Sequence, residues 1–185
     1  ILPRKQHGHQ RNAKESIIGP AHALNQYAHL FPVLFNQGHN HHQNQEQRNQ
    51  PKENQQKIRQ AISGTPRVQI VVGDGLSSAA IQTNAMDCMA AIRDGLKLRN
   101  IDTGKAIFVR YCRVGAGDAI GDITGCELVC MLVGERPGLV TDKSMSAYIT
   151  YKPHTGVSES SRTVVSNIHA QGTPAVEAGA HVAEL

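Results

Sequence analysis

Arg67-Val68-Gln69-Ile70-Val71-Val72 is a β-branched run that breaks at once into Gly73-Asp74-Gly75, and Ser77 follows two residues on. β-Branched residues fit a pleated, half-buried surface, and serine is a favoured helix N-cap. Ile81, Ala85, Cys88, Met89, Ile92 and Leu96 then recur at helical spacing and form one apolar stripe. Gly104 closes the connection, and Ala106-Ile107-Phe108-Val109-Arg110-Tyr111 starts a second strand. Strand, helix and strand in this order predict parallel pairing through a right-handed crossover, which restricts the chain to α/β folds.

The remaining elements extend that unit. Leu128 to Val133 is apolar on both faces, as expected of a strand covered by helices on both sides. It leaves the sheet through Gly134-Glu135-Arg136-Pro137-Gly138-Leu139, which puts a carboxylate and a guanidinium where open α/β sheets meet ligands. Between the second and third strands, Gly115, Gly117 and Gly121 surround Asp118 and Asp122 in a turn-rich connection with room for a short helix. Ser146 to Lys152 and Thr163 to His169 read as a fourth and a fifth strand. Thr173-Pro174 begins a last helix, with Val176, Ala180 and Val182 or Ala183 facing inward. The expected architecture is α/β and Rossmann-like: a mostly parallel sheet with helices on both faces, preceded by a poorly ordered polar N-terminal segment.

Two regions follow, a head over 1–66 and a folded domain over 67–185. The head holds 8 Lys/Arg against 3 Asp/Glu and the domain 11 against 12, so the basic character belongs to the head. From Asn36 to Gln60, 16 of 25 residues are Asn, Gln or His, too little apolar area to offset the entropy of ordering. Leu30 to Phe35 is a short apolar patch, read either as a docking segment or as a loosely packed strand. No basic stripe with interleaved aromatics marks a nucleic-acid surface. No apolar run reaches the ~18 residues of a membrane span. The chain reads as soluble and intracellular, with Cys88, Cys112, Cys126 and Cys130 as buried free thiols.

Chemistry is harder to find. Gly73-Asp74-Gly75-Leu76-Ser77 is neither G-x-G-x-x-G nor a Walker loop, and reads as a tight strand-to-helix turn with Asp74 near the ligand face. Gly115-Ala116-Gly117 is half a fingerprint without a helical pattern directly behind it. Asn167-Ile168-His169-Ala170-Gln171-Gly172 matches the Asp-x-His-x-x-Gly motif of some cobalamin proteins except at its first position. Asparagine there cannot supply the negative charge that polarises a ligating histidine, so a loop histidine bonded to backbone is expected. His7, His9, His39, His41 and His42 have no Cys or carboxylate companions at zinc spacing. Ser77, Ser146, Cys112 and His154 are available for nucleophilic catalysis, but no spacing ties them together. The domain reads as a binder, with no catalytic and no metal-ligating residue assigned.

The motifs in order resemble the small (light) subunit of ethanolamine ammonia-lyase. They are VQIVVGDGLS (68–77), FVRYCRV (108–114), the Ile120-Gly121 turn, LVGERPGL (132–139), SMSAYITY (144–151) and RTVVSNIHAQGTPAVEAGA (162–180). The resemblance covers about residues 67–185. It implies an adenosylcobalamin-dependent lyase that converts 2-aminoethanol to acetaldehyde and ammonia. In that family a TIM-barrel large subunit carries the substrate site and the radical chemistry. The small subunit closes over cobalamin at the interface, and the cofactor keeps its dimethylbenzimidazole on cobalt. Cobalamin contacts carried over from the family fall on Val114, Glu135 and Val164. Val114 would give apolar contact, and Glu135 would accept hydrogen bonds from corrin amides. Val164 stands where the family has cysteine, and Cys112 where it has glycine, which could strain a close backbone approach. Asp74, Arg110 and Arg136 are further candidates from their places at strand ends. The family implies a cytoplasmic location within bacterial microcompartments. Two alternatives are a microcompartment assembly or cargo protein and an inactive divergent relative.

Overall fold

The computed structural model describes residues 33–36 and 52–185. Val33–Asn36 is β1 and Lys52–Ala61 is α1. Val68–Gly73 (β2) follows, then Ser78–Leu98 (α2), Ile107–Arg110 (β3) and Ala116–Thr124 (α3). Leu128–Gly134 (β4), Met145–Tyr151 (β5), Arg162–Ile168 (β6) and Ala175–Glu184 (α4) complete the chain.

The six strands form one sheet in the order β1-β3-β2-β4-β5-β6. The β1–β3, β2–β3 and β2–β4 pairs are parallel. The β4–β5 and β5–β6 pairs are antiparallel. The α/β class is as expected, but the sheet is mixed. The reason lies in connection length: the loop 135–144 carries no helix, and a parallel return needs a crossover of about a dozen residues or more. A short loop can only send the chain back alongside itself.

Helices cover both faces, each with its own core. On one face Ile70, Val72, Phe108, Leu132 and Ala147 pack against α2 and α4. All six residues of the predicted stripe on α2 are buried. On the other face Val71, Ile107, Val109, Val129 and Met131 pack against Ile58 and Ile62 at α1 and Ile120 and Ile123 at α3. Residues ahead of position 67 therefore contribute to the same core and, through β1, to the same sheet. Composition predicts no order from Asn36 to Gln60, yet α1 lies partly within that run. Its polar average hides an i, i+4 pair, Ile58 and Ile62, that gives one helical face something to bury. The rest of the head, 1–32 and 37–51, lies outside the described residues, as do the expectations of disorder and of histidine metal binding made for it.

Two helices differ in detail from the sequence reading. α3 is the short helix for which the glycine-rich connection had room, and it starts directly behind Gly115, where no helical pattern was read; Ile120, Ile123 and Ala116 supply its buried side. On α4 the inward residues are Ala178, Gly179, Val182 and Ala183, while Val176 and Ala180 are exposed. Close packing on α2 selects this face. A Cβ at Gly179 would lie 2.4 Å from the carbonyl oxygen of Cys88, and one at Gly95 would lie 2.6 Å from Ala183 Cβ. At such an approach small residues fit and a valine does not.

Candidate functional site: the strand-end rim

β2, β3 and β4 run in the same direction and end at one edge of the sheet. β6, two antiparallel steps from β4, ends there too. The turns after these strands share that rim and interlock. Gly75 is left-handed, at φ 55°, and a Cβ there would come within 2.4 Å of the Gly134 carbonyl oxygen. The Leu76 N–H donates to that same oxygen at 2.9 Å. Ser77 caps α2 by accepting from the Ala80 N–H at 3.1 Å, and its hydroxyl donates to the Asp142 carbonyl. Asn84 Nδ2 donates to the Lys143 carbonyl at 2.7 Å, so the loop after β4 is strapped down onto α2.

Two carboxylates at the rim perform the same task. Asp74 accepts the backbone N–H of Tyr111 at 2.8 Å and that of Cys112 at 3.0 Å. Glu135 accepts the hydroxyls of Ser144 and Ser146 and, at 3.2 Å, the backbone N–H of Asn167. Tyr111 and Asn167 are both left-handed, at φ 54° and 60°. A non-glycine residue in that region costs energy and persists only where its surroundings hold it. Burial alone would raise the Glu135 pKa, but the hydrogen bonds from Ser144, Ser146 and Asn167 outweigh it and hold the carboxyl below its usual range.

Asp74 stands in the tight turn after β2, as its place at a strand end predicts. The helices after β2 and β3 take opposite faces, which in an open α/β sheet marks the ligand crevice. Asp74 stands at that point, and each of its oxygens accepts one backbone N–H. The anticipated strain at Cys112 is absent: the left-handed residue is Tyr111, and the buried Cys112 thiol occupies the space above Gly73. Arg110 ends β3 half-buried, and Arg136 is exposed on the loop after β4.

Val114, Glu135 and Val164 lie on one side of the sheet. Val164 is directly opposite Tyr148, which is opposite Met131, which is opposite Val71. Directly paired residues share a face, and Val71, Met131 and Tyr148 pack in the core beneath α1 and α3. Val114, in the turn from β3 to α3, packs against that same core. Ser146 pairs with Val133 on this face, so the Glu135 carboxylate that it holds is turned toward it. Ser146 is one same-face step from Tyr148, about 7 Å along the strand. α3 sits over β2 and β4, with Gly117 against Val129 and Met131. Beyond it, on the outer strand, Val164 is 44% exposed.

His169 is buried in the turn after β6 with both ring nitrogens engaged. The Gln171 N–H donates to Nδ1 at 3.3 Å, which leaves the proton on Nε2 to donate to Asn167 Oδ1 at 2.7 Å. The ring is bonded as a loop histidine, to one backbone amide and one side chain. No set of three or more His, Cys, Asp or Glu among the described residues is placed to hold a metal ion.

The nucleophile candidates do not converge. Ser77 and Ser146 spend their hydroxyls on Asp142 and Glu135, and His154 lies against the Thr155 carbonyl. All four cysteines are buried and free. Burial pushes the Cys88 thiol up to about 12, and burial together with the Asp74 charge does the same to Cys112. These are packing groups, with no thiolate to attack anything. A cavity of about 270 Å³ lies at the other edge of the sheet, between the ends of α2 and α4, and has no part in the rim.

Sequence reasoning missed the partners of these residues. Ser144, Ser146 and Asn167 position Glu135, and the alternating Ser-x-Ser on β5 was the available signal. It also missed Asp118 and Arg162, joined below Val164 by paired bonds of 2.7 and 2.8 Å.

The fold and rim define an α/β domain with a mixed sheet, whose outer two strands present an open face beside a hydrogen-bonded edge. The chain belongs to the ethanolamine ammonia-lyase light chain family, whose profile matches residues 44–185. It is 60% identical over 128 residues to the ethanolamine ammonia-lyase small subunit of Clostridioides difficile, across 69% of this chain and 44% of that one. The small subunit of Clostridium perfringens is 59% identical over 128 residues, across 69% and 43%. That of Lachnoclostridium phytofermentans is 55% identical over 134 residues, across 72% and 45%. The match spans less than half the length of each of these relatives. Among the described residues no helix is long and apolar enough to cross a membrane.

Proposed function

We propose that this chain is the cofactor-facing part of the small subunit of an adenosylcobalamin-dependent ethanolamine ammonia-lyase. It works beside a larger subunit that carries the substrate and converts ethanolamine to acetaldehyde and ammonia. Family membership supports the reaction. The observation that carries the binding role is the common face of Val114, Glu135 and Val164, with Val164 left open to solvent.

The residues present fit the group. Cobalamin is a broad, largely apolar macrocycle fringed with amides, and needs an apolar surface bordered by hydrogen-bonding groups. Val164 and Tyr148 offer the first. Glu135 offers the second, since among the described residues Oε2 accepts only the Ser144 hydroxyl and has room for another donor. A hydrogen bond to a charged acceptor contributes about 1.5–3 kcal/mol, enough to orient a large ligand. A bound adenosylcobalamin would supply the radical chemistry of the deamination, and Val164, Tyr148 and Glu135 would be the residues that hold it. The chain's own part is to seat one side of it, orient its amides and keep water from that side. With both ring nitrogens of His169 committed within the turn, that histidine would offer no free nitrogen to a bound cofactor.

Co-expression with an ethanolamine ammonia-lyase large subunit tests this reading. The expected result is acetaldehyde formation only with both chains, and adenosylcobalamin affinity that falls at least about tenfold in Val164→Asp, where a charge faces the macrocycle. Cofactor affinity unchanged in both Val164→Asp and Glu135→Ala would overturn it.

A further inference from the structure

We infer that Asn167 is a further cofactor contact, its side-chain amide donating to an acceptor oxygen of the bound ligand; this rests on the binding role proposed above. Three groups hold this one residue. The Glu135 carboxylate accepts its backbone N–H at 3.2 Å. The Thr173 N–H donates to its carbonyl at 2.9 Å. His169 Nε2 donates to its Oδ1 at 2.7 Å.

The orientation of the amide follows from the histidine. Because Nδ1 accepts the Gln171 N–H, the ring proton lies on Nε2, and only the carbonyl end of the Asn167 amide can receive it. Nδ2 therefore carries both of its N–H groups at an exposed position, with no acceptor among the described residues. Gly172 makes room for this arrangement. A Cβ there would lie 2.6 Å from Nδ2 and 2.8 Å from His169 Nε2. The backbone is left-handed, at φ 60°. A buried imidazole, a carboxylate and a glycine are all spent on fixing one exposed amide, as a preorganised binding group requires.

The acceptor is a neutral carbonyl or a phosphate oxygen, both of which cobalamin carries on its amide fringe and nucleotide tail. The donor also explains the asparagine of the Asn-x-His-x-x-Gly motif. An aspartate would accept from His169 equally well but would offer the ligand no proton.

The test uses the chain assembled with a large subunit and titrated with adenosylcobalamin. Asn167→Asp keeps the shape and the bond from His169 and removes the donor. Asn167→Gly keeps the Glu135 bond, suits the left-handed backbone and removes the amide altogether. Both are expected to raise the dissociation constant about tenfold, the loss of one hydrogen bond to a neutral donor. Asn167→Asp keeps the partner of His169 Nε2 and should melt close to wild type, while Asn167→Gly leaves that buried N–H unpaired and should melt lower, so its affinity is read well below its melting temperature. Wild-type affinity in either folded variant would overturn the role of Asn167 and leave the binding face standing. A wild-type complex that takes up no cofactor would sink both.

Discussion

The guanidinium of Arg162 meets the carboxylate of Asp118 through two bonds, 2.7 and 2.8 Å long, that join the first residue of β6 to the first turn of α3. The two side chains are 2% and 9% exposed. Thr150 adds an acceptor at 2.9 Å, and Glu159 adds a second carboxylate from the solvent side. The bonds to Asp118 are the largest influence raising the Arg162 pKa, so the cation persists at any working pH. The pair holds the outer strand in place under Val164.

Removing Arg162 leaves the buried Asp118 carboxylate without its cation, whereas removing Asp118 leaves Arg162 still paired with Glu159. Arg162→Met is expected to destabilise the chain by about 3–5 kcal/mol in urea unfolding, and Asp118→Ala by less. Replacing both residues, as Asp118→Leu with Arg162→Met, should recover most of that loss, because the penalty comes from the stranded ion. Equal losses in the single and double variants would show that the pair itself stabilises the fold.

Glu135 gives the rim a pH dependence. Its folded-state pKa lies below the ordinary 4.5, since Ser144, Ser146 and Asn167 donate to the ionised form. The ionised form therefore stabilises the fold above pH 4.5, and the contribution disappears as pH falls through the lowered value. Glu135→Gln should melt below wild type at neutral pH, with the gap closing progressively under acid. Melting curves from pH 7 down to about 3 measure it; a gap independent of pH would show that the hydroxyls and the amide bind an amide equally well.

Ile58 tests whether α1 is integral to the domain. It is fully buried against Ile107, Ile120 and their neighbours. Ile58→Ala should cost about 2–5 kcal/mol, the range for truncating a core isoleucine. A cost below about 0.5 kcal/mol, typical of surface changes, would place α1 outside the cooperative unit.

The legible parts of the fold were those written in a single period. The β-branched run of β2 and the stripe on α2 each bury one pattern against one surface, and the chain spells that pattern out locally. What escaped was set by a partner distant in sequence. The direction of β5 depended on how little chain separates it from Gly134. The inward face of α4 depended on how closely Gly179 approaches the backbone at Cys88. The same holds at the rim. Glu135 stood out as a carboxylate at a strand end, but its bond to Asn167 joins residues 32 positions apart. Asp74 was legible as a carboxylate at a strand end, but its bonds to the N–H groups of Tyr111 and Cys112 join residues 37 and 38 positions apart.

Gly73 and Cys112 form one such distant pair, and the dependence between them is measurable. A Cβ at Gly73 would lie 2.0 Å from Cys112 Sγ, far inside van der Waals contact, while its next neighbour, the flexible end of Met131, is 3.2 Å away. Gly73→Ala alone should therefore be strongly destabilising, since both residues are buried where β2 meets the exit of β3. Cys112→Gly removes the obstructing sulfur, at the cost of a small cavity and a freer unfolded chain. In the double variant the new methyl group takes the space the sulfur left. The losses should then be less than additive by about 1–3 kcal/mol in a double-mutant cycle followed by urea unfolding. Strict additivity would mean that the sulfur can swing aside, and that the two positions are free to change independently.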